Sequence, residues 1–130
     1  MANDQKFGFS KSERLCSKRN LELLLAQGES INLSGIKVIY RLMAQAKPGF
    51  MQLAISVPKR NFKKAVDRNR TKRLIREVFR KEKQSINHLL QLKEQSLHLL
   101  IIYYYKQLPD LKLLVSQLTK AFAAIEKSIK

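Results

Sequence analysis

The chain is predicted to fold as a single-domain α+β sandwich, a small and mainly antiparallel sheet with flanking helices, and three patterns carry that prediction. Two short segments, Ile36 to Met43 and Met51 to Val57, alternate apolar and polar residues with the period of two that a half-buried strand requires. An unbroken apolar run, Leu97 to Tyr105, has the composition of a central strand buried on both faces. Between them, from about Ala65 to Asn87, apolar residues recur at helical spacing beneath a dense run of cations.

Taken in order, the elements begin with Ser10-Lys11-Ser12-Glu13, which has the Ser-x-x-Glu form of a capping box and predicts a helix start. Residues 1–6 precede it as a flexible segment. Leu15, Leu21, Leu24 and Leu25 continue the helix, with a bend near Ser17, to Gly28, a natural stop. The two alternating strands then form a β-hairpin through the turn Lys47-Pro48-Gly49. After the basic helix and the apolar strand, Asp110 to Ile129 carries Leu111, Leu114, Val115, Leu118, Phe122 and Ile125 at helical spacing. Within Tyr103-Tyr104-Tyr105, two rings share a face of the strand, and burial against a flanking helix is the simplest account. The order is α-β-β-α-β-α. No repeat, low-complexity tract or Pro/Gly linker divides residues 1–130, so one domain is expected.

Charge narrows the function. Lys and Arg number 26 against 10 Asp and Glu, a formal net charge of +16 on 130 residues, which attracts polyanions from a distance. No run approaches the ~20 apolar residues that span a bilayer, and Met1 to Lys6 lack the apolar core of a signal peptide, so a cytoplasmic location is expected. The lone Cys16 has no partner for an internal disulfide or a zinc site and reads as a structural thiol. Catalytic chemistry is not visible. His88 and His98 are isolated, the carboxylates form no compact pair, and Asp67 beside Arg68 reads as a local ion pair. A metal-dependent nuclease would need clustered acids to hold its ions.

On a helical wheel, Arg68, Lys72, Arg76 and Arg80 fall in one i, i+4 row, with Asn69, Arg73 and Lys83 beside them and Leu74, Ile75, Val78 and Phe79 opposite. Glu77 is read as standing away from that row, leaving its cations without a designed partner. Like charges at this spacing cost a few tenths of a kcal/mol each, and a chain that carries several is built for an anionic partner, here nucleic acid. Asn69 adds a hydrogen-bonding group for sugar or phosphate oxygens.

Lys64-Ala65-Val66, followed by Arg68-Asn69-Arg70, Lys72-Arg73, Arg76-Glu77 and Arg80, resembles the signature helix of the bacterial ribonuclease P protein family. Val57, Lys59 and Arg60 resemble that family's strand end and basic loop, and Phe9, Lys11, Arg14 and Leu15 its amino-terminal segment, so the likeness spans roughly residues 7 to 125. The resemblance implies an extra short strand and a left-handed βαβ crossover. It further implies a protein subunit that assists a catalytic RNA in removing the 5′ leader of precursor tRNA, with Mg(2+) required mainly through the RNA. By the same likeness, Arg68, Asn69, Arg70, Lys72, Arg73, Arg76 and Arg80 would lie on the catalytic RNA. A cleft between sheet and helix one, with Phe9, Lys11, Arg14, Tyr40, Lys59 and Arg60, would hold the single-stranded leader. Tyr40 and Phe9 are equally readable as core residues. The chain departs from the family where Leu21 and Leu25 replace phenylalanines and Lys63 replaces a glycine. A ribosomal-type RNA-binding module and a self-sufficient nuclease are the rival readings.

Overall fold

A computed structural model describes Leu15 and residues 18–44, 51–60 and 62–129. The expected capping box, the bend near Ser17, the turn at Lys47-Pro48-Gly49, residues 1–6 and Cys16 lie outside the described residues. The elements are α1 (Lys18–Gln27), β1 (Glu29–Leu33), β2 (Ile36–Met43), β3 (Met51–Ser56), α2 (Ala65–Lys93), β4 (Ser96–Tyr103) and α3 (Leu111–Ser128).

The four strands lie in the order β1-β2-β4-β3, so the sheet is mixed. β1 pairs antiparallel with β2 and β2 with β4, whereas β3 runs parallel to β4. The expected hairpin between β2 and β3 is therefore incorrect. β4 is inserted between them, because seven of its eight residues are buried and only a central position covers an apolar strand on both faces. The local hairpin is instead β1–β2, closed through Ser34 and Gly35. Gly35 adopts φ +79°, where a Cβ would also lie 2.8 Å from that of Tyr105, so the turn requires glycine. β1 escapes a reading based on alternation because its sequence, ESINL, is short and largely exposed. It is the extra short strand that the family resemblance implied.

Alternation divides the sheet into two faces. Ile36, Val38 and Tyr40 of β2, Met51 and Leu53 of β3, and Leu97, Leu99, Ile101 and Tyr103 of β4 join the large core with α2 and α3. Phe79 of α2 meets Phe122 of α3 edge-on at 6.3 Å, and Ser85 Oγ donates to Glu126 Oε2 at 2.7 Å. β3, α2 and β4 form a parallel βαβ unit. On the other face, Leu24 of α1 and Leu15 pack on Ile39 and Leu100, with Leu21, Ala54 and Ile102 around them. The Leu15 N–H donates to Leu53 O at the outer edge of β3, and Gly28 at the end of α1 abuts Ile39 and the Tyr40 carbonyl. A Cβ at Gly28 would meet the helix's own Leu24 O at 2.4 Å and Ile39 Cγ2 of β2 at 2.8 Å, so the close approach demands glycine here.

Candidate nucleic-acid interface

Helix α2 is longer than its periodicity implied, ending at Lys93 rather than near Asn87. Its buried stripe is Thr71, Ile75, Val78, Phe79, Ile86 and Leu90. At 100° per residue, Lys72, Arg76, Lys83, Asn69, Arg80 and Arg73 occupy a continuous arc beside that stripe. Leu74, Val78 and Lys81 face Leu111 and Val115 across a groove to α3, which puts the basic arc on the side of α2 away from α3. Asn69, Arg70 and Arg73 are exposed, while Lys72, Arg76 and Arg80 are half-buried.

Within the Arg-Asn-Arg motif the three side chains leave the helix in different directions. Arg70 stands on the flank nearer α3, and Asn69 lies in the basic arc. Arg68 turns back beneath the helix start, where Nη1 donates to the carbonyls of Phe62 at 2.8 Å and Lys63 at 3.1 Å. It does so instead of forming the expected ion pair with Asp67, because at the first turn its side chain reaches two loop carbonyls that need donors. Phe62 is itself buried and stacked on Tyr103 with ring centroids 6.1 Å apart. Together they fix the chain at Phe62 and Lys63; Lys59 and Arg60, a few residues earlier, are both exposed. Among the described residues, positive φ outside glycine occurs only at Glu94. Lys63 therefore sits where the family's glycine has no conformational advantage.

The expectation that Arg80 lacks a partner is corrected. Arg80 Nη2 lies 2.7 Å from Glu77 Oε1, and Arg80 holds the Glu77 carboxyl below its usual range. The pair is exposed enough for solvent to screen it, so Arg80 retains most of its attraction for an external anion. Arg76 also has an internal interaction.

The second group of expected residues is brought together only in part. Phe9, Lys11 and Arg14 lie outside the described residues. Tyr40 is 6% exposed on the face opposite α1, and its hydroxyl is hydrogen-bonded to Ser128 Oγ of α3 at 2.9 Å. Burial raises its pKa. Placing Tyr40 in a cleft beside helix one is therefore incorrect, since its neighbour Ile39 is the residue that alternation directs toward α1. Leu25 is 59% exposed and Leu21 half-buried against the sheet, so Leu25 contributes nothing to the small core.

The face that carries α1 also holds side chains outside the expected site. α1 covers the cross-strand row Ile39–Leu100–Ala54 and leaves polar rows on either side. One row is Arg41–His98–Gln52; the other is Asn32–Lys37–Ile102–Ser56. The second lies at the end of the sheet from which β3 leads into Lys59 and Arg60. Lys37 could have been found from β2 alone, because Lys37, Ile39, Arg41 and Met43 alternate with Ile36, Val38, Tyr40 and Leu42. Among the described residues, no group of three or more His, Cys, Asp or Glu could hold a metal ion. Among the described residues, no helix is long and apolar enough to cross a membrane.

The family model for ribonuclease P matches residues 9–126. The chain belongs to the ribonuclease P protein family. A relative from Porphyromonas gingivalis, the ribonuclease P protein component, is 30% identical over 129 residues, covering 99% of this chain and 94% of that protein. The component from Nitrosococcus oceani is 35% identical over 80 residues, covering 62% and 65%. The fold is shared with the solved RNase P protein from Thermotoga maritima, at TM-score 0.65 and 24% identity, covering 84% of this chain and 94% of that one. It is likewise shared with the Staphylococcus aureus RNase P protein, at TM-score 0.65 and 22% identity, covering 92% and 100%. As a ribonuclease P protein, the chain is the tRNA-processing subunit of a ribonucleoprotein endoribonuclease whose RNA is catalytic, and that RNA is its partner. Membership in this family is what the comparisons support, rather than the ribosomal-type module.

Proposed function

We propose that this ribonuclease P protein grips RNA on two sides. The arc of Asn69, Lys72, Arg73, Arg76 and Arg80, with Arg70 on its flank, lies on the catalytic RNA. Arg68 acts chiefly by holding the Lys59–Arg60 loop. The single-stranded 5′ leader of precursor tRNA crosses the end of the sheet beside α1, where Lys37 and Ser56 adjoin Lys59 and Arg60, and Phe9, Lys11 and Arg14 belong to the same site. Single strands are held by cations along the backbone together with stacking surfaces. In this reading the protein's part is to bind and orient RNA, and magnesium is held mainly through the RNA. The complex works in the cytoplasm.

The observation that carries this reading is the uninterrupted basic arc of α2, which takes no part in the buried stripe of that helix. The test incubates precursor tRNA with the protein, with a bacterial ribonuclease P RNA at low magnesium, and with both. Cleavage at the mature 5′ end is expected only with both. Specific cleavage by rigorously RNA-free protein overturns the reading, as does RNA cleavage that the protein leaves unchanged.

A further inference from the structure

We propose that Tyr104, paired with Lys37, is the base-stacking platform of the leader site and stands in for the aromatic side chains missing at Leu21 and Leu25; this rests on the leader reading above. Beyond the end of β4 the chain stays tied to the Ser34-Gly35 turn, since the N–H groups of Tyr104 and Tyr105 both donate to Gly35 O, at 3.0 and 3.2 Å. The ring contacts separate the three consecutive tyrosines. Tyr103 and Tyr105 share one side, meeting edge-on with centroids 6.4 Å apart, and Tyr103 is stacked on Phe62. Burial pushes the Tyr103 hydroxyl up to about 12. Tyr104 stands on the opposite side, which is the face that carries α1, Lys37 and Ile102.

Tyr104 is 44% exposed, yet it is held. Its hydroxyl donates to Leu33 O at 3.1 Å, tying it across the Ser34-Gly35 turn to β1. A tethered ring with an open surface loses little freedom when a base stacks on it, and tyrosine has few torsions to freeze in any case. Lys37 is paired in register with Ile102, and Tyr104 follows Ile102 by two residues. Diagonal neighbours across an antiparallel pair lie about 7–8 Å apart, close enough for one nucleotide to place its base on the ring and its phosphate at the ammonium. Asn32 is paired directly with Lys37 and adds a hydrogen-bonding group. From Ser56 on β3 to Asn32 on β1, three interstrand spacings of about 4.8 Å make a track roughly 14 Å long, enough for a few nucleotides running from the Lys59–Arg60 loop to Tyr104.

The test uses holoenzyme assembled from the full chain and a bacterial ribonuclease P RNA. Precursor tRNA carries 2-aminopurine at successive leader positions, so that stacking is read as fluorescence quenching. The wild-type protein should quench one position or two adjacent ones. Tyr104→Phe keeps the ring and should keep the quenching. Tyr104→Leu keeps apolar bulk without a ring, and should abolish quenching and weaken precursor binding by about 5-fold to 150-fold, the range that base–aromatic stacking spans. Mature tRNA, which has no leader, should bind as before and reports that the variant still folds and assembles. Lys37→Gln should weaken precursor binding while leaving the quenching in place. Unchanged quenching and affinity with Tyr104→Leu overturns the proposal, as does an equal loss for precursor and mature tRNA. If wild-type holoenzyme does not favour precursor over mature tRNA, the leader reading itself fails, a result distinct from failure at Tyr104 alone.

Discussion

Arg68 shows how the same guanidinium reads differently in a sequence and in a fold. By spacing it heads a cationic row; in the structure its Nη1 satisfies the carbonyls of Phe62 and Lys63, just ahead of the helix. Tyr40 shows the converse, an aromatic candidate for RNA contact that is buried between the sheet and α3. His98 is 6% exposed and its Nδ1 has no hydrogen-bond partner. Burial lowers its pKa below the ordinary 6.5, and the neighbouring charge of Arg41 lowers it further. The folded protein therefore holds His98 neutral at pH values where the unfolded chain would protonate it. Its contribution to stability is fully present above about 6.5 and is lost as pH falls from there toward the folded value. Urea midpoints measured from pH 7.5 down to 5 should fall in this window, and His98→Leu should flatten the fall. The same slope with and without the imidazole would assign the acid sensitivity to other groups.

Among the elements, α2 combines the longest helix with an unusual exit. Glu94 at its C-terminus adopts φ 53°, ψ 48°, and Gln95 N–H donates to Leu90 O at 3.0 Å. This is the left-handed ending in which glycine is favoured. A residue with a side chain costs about 1–2 kcal/mol there, partly offset because glycine gains more freedom on unfolding. Glu94→Gly is expected to stabilise by roughly 0.5–1 kcal/mol, and it also removes an acid from the negative end of the helix dipole. A higher urea midpoint at unchanged slope would show this; a lower midpoint would mean that the Glu94 side chain contributes more than its backbone costs. The helix itself was legible from periodicity, and so were β2, β3, β4 and α3. β1 was not, because five residues with exposed polar positions carry too weak a pattern.

At the scale of the whole molecule, the charge of +16 makes binding to any RNA favourable, so specificity has to be separated from bulk attraction. Lys72→Ala with Arg73→Ala removes two cations from the basic arc. If both reach phosphates, affinity for the catalytic RNA should drop and its log–log salt slope should flatten by roughly 0.7–0.9 per lost contact. Lys120→Ala with Lys127→Ala removes the same charge from exposed positions on α3 and should have a smaller effect. Equal losses for the two pairs would reduce α2 to one basic surface among several.

What could be read from residue order was whatever depends on near neighbours: the strands by period two, the helices by period 3.6, the cationic arc of α2 and the Arg-Asn-Arg signature. Pairing partners could not, because which strands meet is decided by how apolar area is covered across the whole chain. β4 is apolar on both faces and takes the centre, which separates β2 from β3 and forces the parallel crossover. The same competition sends Tyr40 into the large core and leaves Lys37 on the side that carries α1. It also turns Arg68 toward its own loop, where the carbonyls of Phe62 and Lys63 lie within reach of its guanidinium.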